Sequence, residues 1–435
     1  MLFLITGIAA IILLTVKYKV HAFFALFIAC FIVGLGVGIS TEKILTLMKD
    51  GFGHIMQSLG FVIVLGTALG VLLEHTGCTN VMAGFILKKT GERNASLAMN
   101  ITGFIVGLPI FCDSGFIVLS GLNKRIAATT KIAMPLMATS LAVGLYAVHC
   151  LIPPHPGASA AAGILSVSFG RLMLWGIVVA IPSSIAGYCW ARYASRKWKV
   201  TDNTEHEQQP QQSIHQPGVL QSFLPVIVPI LLIATGAFAN MEKDATLLWK
   251  IISTAGNPVI ALCVGILLAL LAMPSTHKSA VSKLLQDGAE KAGGILVIIG
   301  AGGAFGAVLA ATKIGDHLGE ALPLASLGIF FPFLLTALLK TAQGSSTVAI
   351  ITAASIVQPL LPALGLDNAT GQLLCVLSMG AGSMTLSHAN DAYFWVISKF
   401  SGLEMKPMLS IYSIATLCMG LTAILTVYIL SLIIL

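Results

Sequence analysis

Asp113, His149, His155, His388 and Asp391 are titratable side chains embedded in long apolar stretches, and each sits in a short polar or proline-rich run. In the first half these runs are Pro109-Ile-Phe-Cys-Asp-Ser-Gly115 and His149-Cys-Leu-Ile-Pro-Pro-His-Pro-Gly157. In the second half they are Thr341-Ala-Gln-Gly-Ser-Ser-Thr347 and Ser387-His-Ala-Asn-Asp391. In an apolar medium a carboxylate or imidazole must pair, change its protonation or contact a ligand. Asp113, His155 and Asp391 are therefore candidates for proton exchange, and imidazole suits a shuttle near neutral pH. The competing structural reading makes each acid a helix N-cap and each histidine a satisfied buried donor. For holding a ligand, the first-half runs offer Asp113, Ser114, Gly115, His149, His155 and Gly157. The second-half runs offer Gln343, Gly344, Ser345, Ser346 and Thr347, then Ser387, His388 and Asn390. Small residues let backbone groups approach a ligand, and hydroxyls and amides bond to it. No Arg or Lys lies in the first-half runs, and Lys340 stands just before the second-half tip. An anion would then be held chiefly by dipoles, hydroxyls and amides, which suits a small monocarboxylate bearing several hydroxyls.

The chain that must position these groups has 435 residues, 57% of them hydrophobic and 9% charged, with a mean hydropathy of +0.94. A soluble domain is about 25% charged, so the composition describes an all-α integral membrane protein. The net charge of +7 does not indicate nucleic acid, because the basic residues lie in short loops between apolar spans. The eight cysteines form no CxxC pair and read as small buried side chains rather than disulfides or metal ligands. Neither a metal nor a cofactor is expected. Leu2–Val16 lacks a basic leader and a small-residue cleavage site, and reads as a retained first helix.

Uncharged runs long enough to span a bilayer are Ala22–Ser40, Ile55–Leu73, Leu172–Trp190, Val219–Met241, Ile251–Met273, Ala292–Thr312 and Pro407–Leu435. Ile132–Ser166 and Ala369–Ser398 are interrupted by polar runs and read as broken helices. Ala95–Lys131 and Ala321–Leu366 each hold two half-length apolar arms around a polar tip, and read as re-entrant hairpins. With the N-terminus outside, ten spans and two hairpins leave only Lys43, Lys49, Arg171, Lys243, Lys250 and Lys313 in outer loops, out of 24 Lys and Arg. That asymmetry follows the positive-inside rule and puts both termini on the periplasmic side.

The halves also echo each other. Asp50-Gly51 precedes an apolar span containing Gly66-Thr-Ala-Leu-Gly70, and Asp287-Gly288 precedes one containing Gly302-Gly-Ala-Phe-Gly306. A hairpin and a broken helix follow in each, and five crossings between the two starts make the repeats inverted, a hallmark of secondary transporters. The expected division is scaffold helices at 1–50, a first repeat at 51–200 (hairpin 95–131, broken helix 132–166) and a polar cytoplasmic linker at 201–218. Connecting scaffold helices at 219–287 and a second repeat at 288–435 (hairpin 321–366, broken helix 369–398) complete it. Polar breaks at matching places in both halves are the feature that points to a transport site.

The Pro109–Gly115 tip, the His149–Gly157 run, Ile299-Gly-Ala-Gly-Gly-Ala-Phe305 and Gly344-Ser-Ser-Thr-Val348 resemble the gluconate:proton symporter family over essentially the whole chain. The resemblance implies an inner-membrane symporter taking up gluconate or a related sugar acid with protons, with relatives that prefer D-serine, glycerate or fructuronate. It also implies an ion-transporter-superfamily plan of elevator type, with a moving unit of hairpins and broken helices against a scaffold, assembled as a homodimer. Sodium coupling is the alternative mechanism. A membrane enzyme is disfavoured by the lack of a GxSxG elbow or HExxH motif. A channel is disfavoured by the lack of charged rings or a carbonyl filter motif.

Overall fold

With no water inside a bilayer, each backbone polar group must be satisfied within its own segment, so apolar chains cross as helices. The computed structural model describes residues 2–197, 217–239, 247–273, 280–312, 324–389 and 391–434, and these are almost wholly helical. The first half comprises α1 (Leu2–Ile12), α2 (Ala22–Gly36), α3 (Thr41–His75), α4 (Cys78–Thr90), α5 (Ala95–Gly107), α6 (Cys112–Thr130), α7 (Met134–Leu151), α8 (Pro156–Ile164) and α9 (Phe169–Ala194). Next come α10 (Val219–Ala239), α11 (Leu247–Ala255), α12 (Pro258–Ala272) and α13 (Val281–Ala311). The remainder are α14 (Phe330–Gln343), α15 (Ser346–Val357), α16 (Ala369–Ser383), α17 (Ala392–Ser401) and α18 (Ile414–Ile434).

Capping residues and prolines set where these helices start. Ser40 Oγ accepts from Lys43 N–H at the head of α3, and Asn368 Oδ1 accepts from Thr370 and Gly371 N–H at the head of α16. Pro135, Pro156 and Pro258 occupy first turns, where no backbone N–H is needed.

Seven of the described helices are long and apolar enough to cross a membrane, or eight if the bent pair α11–α12 is one span. That pair occupies the expected span Ile251–Met273, which is bent rather than straight. The chain turns by 67° there, because Pro258 cannot extend the preceding helix and Asn257 Oδ1 caps the next one through Val259 N–H at 2.9 Å. A further helix, α4, occupies a stretch expected as loop. The linker at 201–218 falls outside the described residues except for Pro217 and Gly218, as do residues 321–323 at the start of the second hairpin.

The expected breaks are present. Arms α5 and α6 flank a tip at Leu108–Phe111, and α14 and α15 flank a tip at Gly344–Ser345. Helix α7 stops at Leu151 and α8 restarts at Pro156, across Pro153 and Pro154. Helix α16 stops at Ser383 and α17 restarts at Ala392. Packing recurs between the halves. α7 packs on α5, α6 and α9, and α16 packs on α14, α15 and α18. The second segment of each broken helix packs on the second arm of the other half's hairpin: α8 on α15, and α17 on α6. Helices α3 and α13 pack along each other.

Burial separates the layers. In an 18-residue apolar stretch of Met134–Ile164 89% of the residues are buried, against 33% in such a stretch of Met405–Ile434, which turns Leu421, Leu425, Leu432 and Ile433 outward. The broken helices thus lie in the protein's interior, and α18 carries an outward apolar face. Two tyrosines tie the halves together: Tyr146 Oη donates to Ser383 O and Tyr393 Oη to Ala142 O, each at 3.2 Å.

Candidate functional site

The two breaks and the two tips converge. A Cβ added to Gly157, in the first turn of α8, would lie 2.8 Å from Ile350 Cδ1 and 3.3 Å from Thr347 Cα. Glycine at this position therefore lets the start of α8 sit close beside the start of α15 without displacing it. On the other side Phe116 of α6 meets Tyr393 of α17 edge-on, ring centroids 6.2 Å apart. Four helix N-termini thus pair up, α8 with α15 and α6 with α17. Helix N-termini carry unsatisfied N–H groups and a positive dipole end, which favour anions.

The pairs are finished differently. In the second half Ser345 caps α15, accepting from Val348 N–H at 3.3 Å, and Asp391 caps α17, accepting from Tyr393 N–H at 3.0 Å. In the first half Phe111 and His155 stand at the N-cap positions of α6 and α8 with no side-chain cap bond.

Around α8 lie polar atoms without a partner. His155 is 1% exposed, and its Nε2 lies 2.7 Å from Gly107 O. A carbonyl only accepts, so Nε2 carries the proton and Nδ1 presents a lone pair in the neutral ring. That Nδ1 has no hydrogen-bond partner, nor does His149 Nδ1. The two imidazoles lie 4.9 Å apart, with Phe111 6.0 Å from His155 and Tyr146 stacked 6.3 Å from His149. At the second tip both amide atoms of Gln343 are buried and unpartnered. Buried polar groups are normally bonded; Ser159 Oγ of α8 shares this lack of a partner, as do atoms away from the breaks such as those of Thr79 and Asn123.

Asp113 lies half-buried in the first turn of α6, where the dipole stabilises negative charge. Among the described residues it makes no ion pair. Asp391 differs. Lys340, which is fully buried, donates from Nζ to Asp391 Oδ2 at 2.7 Å and to Gly344 O at 3.1 Å. Ser387 Oγ donates to the same carboxylate oxygen.

Of the other expected residues, Gly344 lies at the second tip and Ser387 and His388 in the second break. Ser114 and Gly115 instead fall in the first turn of α6, and Ser346 and Thr347 in the first turn of α15, so Cys112–Gly115, expected at the first tip, is already helical. His388 is half-buried, and its carbonyl accepts from Asp391 N–H at 2.8 Å. Asn390 lies outside the described residues. Lys340 was not an expected site residue. Its signal was a lysine in an apolar arm one tip away from an aspartate, since buried charges need partners. Tyr146 and Tyr393 were also missed, because nothing local distinguishes them from core aromatics.

Behind the first tip runs an apolar seam. Leu108, Pro109, Pro153 and Pro154 face Pro225 and Pro229 of α10 across a shallow cavity.

This fold, with its polar groups gathered where helices break, is that of a helical membrane transporter, and the chain is not an enzyme. It belongs to the GntP family of permeases, whose family model matches residues 1–433. It is 32% identical to the gluconate permease of Pseudomonas aeruginosa over 99% of this chain and 97% of that protein. It is 28% identical to a D-serine transporter of Escherichia coli K12 over 99% of this chain and 98% of that protein. In structure it is similar to the YdaH transporter of Alcanivorax borkumensis, with a TM-score of 0.64 over 90% of each chain at 16% identity.

Proposed function

We propose that this protein is a proton-coupled symporter that takes up gluconate or a related small hydroxy monocarboxylate across the bacterial inner membrane. The observation that carries the reading is the uncapped start of α8, flanked by the unpartnered Nδ1 atoms of His155 and His149. A carboxylate placed there would accept from the free N–H groups of α8 and gain from the dipole. Gln343, with Ser346 and Thr347 beside Gly157, would bond to the substrate's hydroxyls.

Coupling follows from charge. Asp113 has no cation beside it among the described residues, so an ionised Asp113 and an incoming carboxylate oppose each other. A proton on Asp113 removes that repulsion, and proton and anion then bind cooperatively. A proton on His155 Nδ1 acts in the same sense by turning an acceptor into a donor toward the carboxylate. Asp391, already paired with Lys340, is less suited to exchanging the proton. The recurring element order and the mirrored packing of the halves support an inverted repeat. The apolar seam at α10 supports a transport unit sliding as an elevator against a scaffold of Leu2–Ser40 and Val219–Met273, and the family resemblance supports a homodimer. The loop charge asymmetry supports periplasmic termini.

The test is uptake of labelled gluconate into proteoliposomes under an inward proton gradient, competed by unlabelled gluconate, glycerate and D-serine. Saturable accumulation blocked best by gluconate supports the reading. Stronger competition by D-serine would move the substrate to an amino acid, and absence of gradient-driven uptake would sink it.

A further inference from the structure

The residue at the head of each broken helix's second segment is linked to a hairpin carbonyl, but by different means. In the first half His155 Nε2–H donates directly to Gly107 O. In the second half Asp391 stands in the same place, and the carbonyl is that of Gly344 at the other tip. A carboxylate and a carbonyl are both acceptors and cannot bond to each other. A group that serves both acceptors must bridge them, and Lys340 Nζ does so, at 2.7 Å and 3.1 Å.

Three features favour positive charge at that point. It lies at the C-terminal end of α14, the negative end of the helix dipole. It has a backbone carbonyl from a hairpin tip, that of Gly344, whose φ of 83° is one that glycine adopts freely. It has the carboxylate of Asp391, which also accepts from Ser387. Exposed carbonyls at broken or re-entrant helices, together with an acid, are a ligand set suited to a small alkali cation.

We propose that the Lys340 ammonium is a built-in cation filling a latent sodium site, and that removing it converts the position into one that binds sodium. Lys340→Ala deletes the chain beyond Cβ and leaves Gly344 O, Asp391 and Ser387 facing a vacated space. In the intact protein the fixed ammonium supplies the charge that sodium would bring, so sodium is not needed there.

The experiment is thermal unfolding of the purified full chain in detergent, in sodium chloride against choline chloride of equal strength, for the native protein, Lys340→Ala and Lys340→Ala/Asp391→Asn. The expected result is an upward shift of about 2 °C or more with sodium for Lys340→Ala alone. Recovery of folded Lys340→Ala in sodium but not in choline supports the proposal equally. A shift of the same size in the native protein or the double variant overturns it, as does no shift in Lys340→Ala. Failure of Lys340→Ala to fold in either salt also overturns it. The assay contains neither substrate nor gradient, so its outcome is independent of whether the protein carries a sugar acid.

Discussion

The first-half and second-half polar centres are built from the same elements and finished in opposite ways. In the second half Asp391 is bonded to Lys340, Ser387 and the head of α17, and Ser345 closes α15. In the first half α6 and α8 lack side-chain caps, His149 and His155 each keep an unpartnered nitrogen, and Asp113 has no ion pair among the described residues. The Asp391 centre, whose charges are paired, is suited to holding geometry, while Gln343 at the second tip keeps a buried amide without a partner among the described residues. The first-half centre is suited to exchanging protons and ligand, because its groups have free energy still to gain.

The largest expected effect comes from breaking the satisfied centre. Asp391→Asn leaves a fully buried ammonium without its counter-charge, and breaking such a pair costs about 3–5 kcal/mol. Its melting temperature should fall well below that of the native protein, whereas Asp113→Asn should melt close to native. If both variants melt alike, the two centres are not finished as described.

A smaller loss is expected from His155→Ala, which strands Gly107 O in a buried position at a cost of about 1–3 kcal/mol. It should lower both the melting temperature and the apparent affinity for substrate. Gln343→Ala separates the two effects. The Gln343 amide has no hydrogen-bond partner among the described residues, so its loss should leave stability unchanged and weaken substrate binding by about 0.5–1.5 kcal/mol. A drop in stability with unchanged affinity would give it a structural role instead. Ser346→Ala should weaken binding by the same modest amount, measured as a rise in the half-saturating concentration for uptake.

Much of this plan was legible in the sequence. Four polar runs in apolar surroundings located both tips and both breaks, because prolines and small polar residues at membrane depth have few other uses. Pro153, Pro154 and Pro156 located the first break in particular. The bend at Gly256-Asn257-Pro258 has a similar signal, and was masked by the apolar residues on either side. What could not be read locally was pairing. Lys340 and Asp391 are far apart in the chain and meet only because α14 and α16 pack together. The cap at Asp391 and the missing cap at His155 look alike in sequence, since each precedes a helix start, and only the backbone shows which side chain bonds it.

The central claim is that the first-half centre exchanges the proton. Its most direct test compares Asp113→Asn with the native protein in proteoliposomes, measuring gradient-driven accumulation and gradient-free exchange of labelled gluconate side by side. The neutral amide mimics the protonated acid, so accumulation should be lost while exchange persists. Retention of accumulation, or equal loss of both in a protein of native stability, would contradict the account.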